Sequence, residues 1–429
     1  MNKYSTHTQF LDIWISKIPA HWQAHKMKHL FSERSEKGYP NEPLLVASQN
    51  MGVVPKNVYG NRTVEAQKDL HLLKLVRVGD FVISLRSFQG GLEYAYYQGI
   101  ISPAYTILIP HEPMSGSYFR YLAKSKPFIG LLTLCVTGIR EGQNIDYAKL
   151  KNHLLPVPPR EEQDQIVRFL DWKVSGINRL INIKQEQLRK VKELLDRLFR
   201  DTTSKCSKKV KIKYLFELDD DFFVPDASES YAKAGMYNRG RGIFLREPCL
   251  GNELGDSQFQ HIHSDRLMLS GQFAWEDAVY ITQEKDTHGI ASHRYYLLKP
   301  VRYIPVEYLW LYFLSGEGFF NLQQCSHGSA GRNRPLNIKE VLNLELPVPD
   351  DKEKANALNE LVRDYMRLQV ITEEEKKALL DFKTHLVADI VTGKIDVRGI
   401  EIPEYEFVDE DTDTGNEDGS EEETEEQED

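Results

Sequence analysis

The clearest pattern along the chain is a polar stretch over residues 161–200 with apolar positions at Ile166, Leu170, Val174, Ile177, Ile181, Leu188, Val191, Leu195 and Leu198. The steps are threes, fours and one seven, the spacing of a coiled-coil seam. Forty residues at 1.5 Å each predict a helix about 60 Å long. Such a seam needs a partner helix, and residues 351–391 supply one. There Leu361, Tyr365, Leu368, Leu379, Phe382 and Leu386 each lie 191 positions after Leu170, Val174, Ile177, Leu188, Val191 and Leu195. A domain's length of chain separates the two stretches, so they are expected to run antiparallel and to form a rod with a module at each end.

The modules read as copies of one another. Lys26-Met27-Lys28-His29-Leu30-Phe31 recurs as Lys211-Ile212-Lys213-Tyr214-Leu215-Phe216, and Gly79-Asp80-Phe81 as Gly271-Gln272-Phe273. Gly99, Tyr105 and Pro110 match Gly289, Tyr295 and Pro300, each 190 positions on. Leu155-Pro156-Val157-Pro158 returns as Leu346-Pro347-Val348-Pro349, and each copy closes a module and opens a long helix. A period this long means two copies of a whole domain and not a solenoid. Short β-rich runs such as residues 80–85 and 105–109, with Gly and Pro between them, make each module mixed α/β. The predicted fold class is therefore α+β, two repeated mixed α/β modules joined by two long antiparallel coiled-coil helices. The boundaries are 1–158 for the first module, 159–202 for the central helix, 203–349 for the second module, 350–395 for the C-terminal helix and 396–429 for a tail.

Composition changes this picture at one point. The net charge of −10 arises in the tail, where residues 409–429 carry 13 acids and no Lys or Arg. The rest holds 64 − 13 = 51 acids against 54 bases, a net of +3. An acidic segment without aromatics is expected to stay disordered, while the mildly basic body permits local basic faces. No apolar run approaches the roughly 20 residues of a membrane span. The N-terminus lacks the apolar core of a signal peptide, so a cytoplasmic protein is expected. Cys135, Cys206, Cys249 and Cys325 are too dispersed for a zinc knuckle or a disulfide framework.

Catalytic patterns are missing. Val157-Pro158-Pro159-Arg160 lacks the flanking residues of an amino-methyltransferase loop, and no G-x-G-x-x-G loop occurs. Thr392-Gly393-Lys394 reads as a helix end, not a phosphate loop. Pro349-Asp350-Asp351-Lys352-Glu353-Lys354 reads as a helix start favoured by the dipole, not a nuclease metal site. His261-x-His263, with His288 and His293 in the same half, is the one cluster of metal-ligand type. It lacks an evident third ligand, so surface or DNA-facing histidines are the favoured reading and no metal is expected.

Corresponding polar loops remain. Thr137-Gly138-Ile139-Arg140-Glu141-Gly142-Gln143-Asn144 answers His327-Gly328-Ser329-Ala330-Gly331-Arg332-Asn333-Arg334. Glycine allows close backbone approach, Arg reads guanine or grips phosphate, and Asn or Gln reads adenine. The candidate DNA-binding residues are Arg140, Gln143 and Asn144 in one loop and Ser329, Arg332, Asn333 and Arg334 in the other. Arg86, Ser87 and Gln89 are added from Arg86-Ser87-Phe88-Gln89-Gly90-Gly91, and Arg239 and Arg241 from Tyr237-Asn238-Arg239-Gly240-Arg241-Gly242. Tyr94, Tyr96, Tyr97 and Trp275 nearby are expected to be core rather than base-stacking residues.

Over residues 18–398 the chain resembles the specificity subunits of type I restriction-modification enzymes. Ile18-Pro19-Ala20-His21-Trp22 resembles that family's N-terminal motif, and Gly79-Asp80-Phe81-Val82-Ile83-Ser84-Leu85-Arg86 its central strand. Leu155-Pro156-Val157-Pro158-Pro159-Arg160-Glu161-Glu162-Gln163 resembles its domain-to-helix junction, and Val391-Thr392-Gly393-Lys394-Ile395-Asp396-Val397-Arg398 its C-terminal helix exit. The second junction departs from the pattern by losing Pro-Glu-Glu-Gln. The resemblance implies two target-recognition domains, each reading half of a split double-stranded DNA sequence, held apart by the paired helices. It implies a non-catalytic chain that docks two methyltransferase subunits using S-adenosylmethionine and, through them, two motor-nuclease subunits using ATP and Mg. A methyltransferase-only complex without nuclease and a plain coiled-coil scaffold are the alternatives. A fused enzyme would need cofactor or metal motifs that the sequence lacks.

Overall fold

The computed structural model describes residues 3–59, 69–137, 144–204, 206–238, 240, 242–255, 257–328, 334–349 and 352–409. It divides into two compact units, one made of Met1–Ile183 with Glu375–Asp429 and the other of Lys184–Glu374. Each unit is built on a four-stranded antiparallel sheet. In the first, Phe31–Arg34 (β1), Phe81–Ile83 (β2), Glu93–Tyr94 (β3) and Thr106–Pro110 (β4) lie in the order β1-β4-β2-β3. In the second, Phe216–Leu218 (β5), Leu267–Ser270 (β6), Val279–Ile281 (β7) and Tyr295–Pro300 (β8) lie in the order β5-β8-β6-β7.

The registers correspond residue by residue. Phe31 faces Pro110 and Phe81 faces Leu108 in one sheet, while Phe216 faces Pro300 and Leu267 faces Leu298 in the other. The counterpart of Phe81 is therefore Leu267, not Phe273 as the Gly-x-Phe match suggests. Phe31 to Phe81 is 50 positions and Phe216 to Leu267 is 51, whereas Phe81 to Leu108 is 27 and Leu267 to Leu298 is 31, so most of the extra residues fall between β6 and β8, which only strand pairing reveals.

One pair of charges marks the duplication. Arg34, at the end of β1, donates from Nε and Nη2 to the Asp80 carboxylate just before β2, at 2.7 and 3.1 Å. In the other unit Asp219, just after β5, accepts from Nε of Arg266 just before β6 at 2.6 Å. The two units thus use the same two positions with the charges exchanged.

Helices cover one face of each sheet. Ser87–Gly90 (α1) follows β2, and Gly116–Leu122 (α2) and Lys126–Leu134 (α3) follow β4. Tyr118, Phe119, Leu122, Phe128, Leu131 and Leu132 bury completely against Phe31, Phe81 and Leu108. Full burial of side chains this size contributes roughly 1.5–3 kcal/mol each. The long helix Arg160–Thr203 (α4) begins after Pro158-Pro159, with Glu161 and Glu162 in its first turn where the dipole favours acids. In the second unit Val306–Leu314 (α5) is buried along nearly its whole length and Gly316–Gln324 (α6) follows it. Lys352–Val391 (α7) is the second long helix, ended by Gly393 at φ +75°, with Gly393 N–H on Ile390 O and Lys394 N–H on Asp389 O.

In the first unit Lys383 Nζ lies 3.5 Å from Asn178 Oδ1, and Gln165 reaches Val397 beyond the end of α7, so the two helix segments run antiparallel. Leu170, Ile177 and Leu386 are buried there, with Leu379 packed beside them and Val174 partly buried. In the second unit Leu195 and Tyr365 are buried, and Leu188 and Val191 pack partly. Three predicted seam residues are not in the core: Leu361 is 44%, Leu368 38% and Phe382 52% exposed. The buried apolar positions of α7 in the second unit are instead Leu358, Val362, Tyr365 and Met366. A straight helix drifts about 20° per heptad from a strict 3.5 repeat. The buried stripe also follows the domain packed against it, so transferring the α4 pattern by a fixed shift misplaces the face.

The tail boundary at residue 396 also moves. Gln165 Nε2 donates to the carbonyls of Val397 and Ile400 at 3.1 and 2.8 Å. Ser175 Oγ donates to Glu406 O at 3.0 Å and accepts from Val408 N at 2.7 Å. Residues 397–408 therefore lie along α4 as an extended strap. Val397 is buried and Ile400 and Ile402 pack on the core, which the acidic count of the tail does not reveal. Residues 410–429 lie outside the described residues.

The motifs behind the family resemblance meet at one structural junction. Glu162 is buried and accepts from Tyr4 OH at 2.5 Å and Trp22 Nε1 at 3.0 Å, with His21 Nε2 at 2.7 Å. Burial, then the Glu162 hydrogen bond, raises the Tyr4 hydroxyl far above its usual range. Gln163 donates to Pro113 O and Pro158 O and accepts from Ser115 N, each at 2.8 Å. A Cβ on Gly393 would sit 2.2 Å from Pro19 Cδ, so only glycine fits.

Candidate nucleic-acid interface

The two polar loops leave the fold at the same place in each unit. Cys135 and Cys325, both buried, end α3 and α6. The loops are then closed by the pairs Val136 with Ile145 and Ser326 with Leu336. Asp146 and Asn337 follow as equivalent helix caps, accepting from Lys149 N and Lys339 N. This geometry needs a short polar residue at each return point, and the sequence supplies one.

Beside the helix end that leads to each loop sits a short helix that follows a sheet strand. In the first unit Thr133 Oγ1 donates to Phe88 O of α1 at 3.4 Å, and in the second Gln323 Nε2 donates to Trp275 O at the same distance. Arg86 and Gln89 are exposed on this surface, next to the last turn of α3. Ser87 is not. It is fully buried, with its Oγ accepting from Ser84 N at 2.8 Å and 3.2 Å from Ser84 Oγ, so it closes the turn before α1. An alternation of polar letters cannot distinguish a turn-closing hydroxyl from a ligand-facing one.

In the second unit Arg334 is exposed and its guanidinium lies 5.0 Å above the Trp275 ring. Trp275 is half-buried and donates from Nε1 to Gln272 O, so it is a fixed platform on the surface instead of core. Gly240 N donates to Asp277 O at 2.7 Å, which brings the Tyr237–Gly242 turn to the same short helix. Burial raises the Asp277 carboxyl, and Lys192 at 3.2 Å opposes this. Asn144 is exposed and its carbonyl accepts from Thr137 at 3.3 Å. Arg140, Gln143, Arg239, Arg241, Ser329, Arg332 and Asn333 lie outside the described residues.

The sequence reading missed Gln49. It sits at a turn between two apolar strands, and its Nε2 donates to Arg86 O at 3.3 Å. The signal was the Ser48-Gln49-Asn50-Met51-Gly52 turn flanked by Leu45-Val46 and Val53-Val54, an ordinary hairpin pattern.

His261 Nδ1 and His263 Nε2 both lie on Asp221 Oδ2, at 3.1 and 3.0 Å, and the His261 ring stacks on Phe223. Among the described residues no group of three or more His, Cys, Asp or Glu side chains is placed to hold a metal ion. No helix of the described residues is long and apolar enough to cross a membrane.

No protein-family model matches the chain, and no curated protein matches it significantly. Solved structures do. One from work on complex assembly and conformational transition of the type I R-M system matches with 12% identity and a TM-score of 0.56, covering 88% of this chain and 99% of that one. The HsdS subunit from Thermoanaerobacter tengcongensis matches at 11% identity, covering 88% and 98%, with a TM-score of 0.43. The type I restriction-modification system S subunit from M. genitalium matches at 14% identity, covering 90% and 98%, with a TM-score of 0.40. At a TM-score of 0.56 over 88% of this chain and 99% of the other, the first match shows that this chain shares its fold with a chain of a type I R-M system.

Proposed function

We propose that the chain is the DNA sequence-specificity subunit of a type I restriction-modification system, with each unit reading one half of a bipartite duplex target. The observation that carries this reading is the paired site. Two units built on matching four-stranded sheets lead into a polar, Arg-bearing stretch of sequence at equivalent points, and the root of each stretch lies beside a short helix with an exposed Arg or an Arg-capped Trp. Two readers on one chain suit a target in two parts, and Arg with Asn or Gln is the set that reads guanine and adenine in the major groove. The chain itself catalyses nothing in this reading. Two methyltransferase subunits hold S-adenosylmethionine, and two motor-nuclease subunits supply the ATP- and Mg-dependent steps in the cytoplasm.

The test is reconstitution. The purified chain alone is expected to leave duplex DNA unmethylated. Co-expressed with its cognate methyltransferase subunit, it is expected to produce adenine methylation at a two-part motif with an unread spacer, read by sequencing modified bases across the genome. Methylation by the chain alone, or a motif that does not change when this chain is exchanged for another specificity subunit, overturns the proposal.

A further inference from the structure

Glu93 of β3 is 1% exposed on a strand whose neighbours on the same face, Val82 and Ala95, are apolar. One of its oxygens accepts from Lys124 Nζ at 2.7 Å, and the other, Oε1, has no partner among the described residues. Burial pushes its carboxyl up to about 7, against the opposing charge of Lys124. The sheet does not require this group. The register that sets Glu93 opposite Val82 sets Tyr280 opposite Met268 in the second unit, and the position answering Lys124 is Leu314, packed on the core. One unit therefore carries a costly buried pair where its twin uses an aromatic and an aliphatic residue. Such departures from local preference concentrate at functional sites.

Lys124 shows what the pair holds. Its ammonium also donates to Gln49 O at 3.0 Å, at the turn between strands Leu45–Ser48 and Gly52–Pro55. Ser48 pairs with Gly52, leaving Gln49, Asn50 and Met51 as the turn. Gly52 has φ +73°, and a Cβ there would come 2.7 Å from Tyr94 O, so the turn is pressed onto β3 in a conformation only glycine allows. Gln49 ties it to Arg86 O beside α1. The result is a two-stranded ribbon whose tip carries the exposed Gln49 and Asn50, held through Gln49 to the backbone of the exposed Arg86. A ribbon of two strands fits the major groove, and Asn pairs bidentately with adenine.

Resting on the specificity-subunit reading, we propose that the Gln49-Asn50-Met51 turn is a further base-reading element of the first unit, with Asn50 contacting a base edge and Glu93 acting through Lys124 as its positioning residue. The second unit lacks the Glu–Lys pair, so the device belongs to one half-site.

The methylated motif of cells co-expressing the full chain with its methyltransferase subunit tests this. Asn50→Ala is expected to relax one base position in one half-site, raising methylation of the mismatched sites roughly ten- to hundred-fold relative to wild type. The other half-site stays as it is. Asn50→Asp, which keeps the size and turn-forming capacity of the side chain, separates lost reading from lost folding and is expected to disfavour adenine at that same position. Glu93→Gln is expected to relax the same position and no other. A motif kept at wild-type stringency by Asn50→Asp, or an equal loss at all sequences, overturns the assignment, the latter marking a phosphate contact. Absence of any motif with the wild-type chain counts instead against the specificity-subunit reading itself.

Stability supplies an independent readout for Glu93. A carboxyl raised in the folded state favours folding below its unfolded value near 4.5, and that advantage is lost as the pH rises through about 7. Glu93→Gln removes this dependence. Its melting temperature relative to wild type is therefore expected to rise between pH 5 and pH 8, and an offset that is flat or falls across that range contradicts a buried carboxylate at this position.

Discussion

Asp80→Arg is expected to cost the first unit about 3–5 kcal/mol, the range for breaking a buried ion pair, and adding Arg34→Asp is expected to return most of it. Arg34 and Asp80 side chains are 9% and 3% exposed and meet through two hydrogen bonds, so the single change leaves two buried guanidinium groups in contact. The second change restores the pair with its charges exchanged. That arrangement is already built by Asp219 and Arg266 at the equivalent sites of the second unit. Recovery should be incomplete, because Glu36 lies 2.5 Å from Arg34 and would then face a carboxylate. Lys299, 3.1 Å from Asp219, plays the mirrored part in the second unit, where Asp219→Arg with Arg266→Asp should behave likewise. Burial works against the Asp219 charge, but the hydrogen bonds from Arg266 and Lys299 outweigh it and hold the carboxyl below its usual range. Its contribution is therefore present above about pH 4 and fades on further acidification. Chemical denaturation of the two singles and the double gives the coupling energy, and a double no more stable than the sum of its singles would show that the positions are not equivalent.

Arg334→Ala is expected to relax one position in the half-site read by the second unit and to leave the other half-site untouched. A bidentate Arg–guanine contact is worth about 1–3 kcal/mol, or roughly 5- to 150-fold in discrimination. Trp275 gives the guanidinium a fixed stacking surface, which lowers the entropy lost when it engages a base. Trp275→Leu should therefore weaken discrimination at the same position as Arg334→Ala, and the two losses should not add. The readout is the methylated motif together with binding to matched and mismatched duplexes at several salt concentrations. A loss that is uniform over all sequences and shrinks the salt dependence would assign Arg334 to the phosphate backbone instead.

The repeat, the two long helices and the helix ends that flank the polar stretches were legible in the sequence because each rests on local physics. Apolar spacing reports the helix period, prolines after Val157 and Val348 end the strands, and Gly393 stops the last helix at a positive φ that other residues rarely adopt. Pairing across the chain decided the rest. Whether Phe81 answers Phe273 or Leu267 is a question of strand register, which depends on which backbone groups meet and not on the spacing of similar letters. The exposure of Leu361, Leu368 and Phe382 follows from which side of α7 each domain occupies. Residues 397–408 looked like the start of an acidic tail, yet backbone carbonyls of Val397, Ile400, Glu406 and Val408 find donors on Gln165, Ser175 and Asn178 of a distant helix. The same holds at the candidate interface. Composition located Arg86 and Arg334, but only folded neighbours turned Ser87 into a buried turn-closing residue, set Trp275 beneath Arg334 and joined Glu93, Lys124 and Gln49, which are separated by dozens of residues in the chain. Hydrogen bonds and ion pairs between distant segments leave no periodic trace in a sequence, because their partners are chosen by the fold.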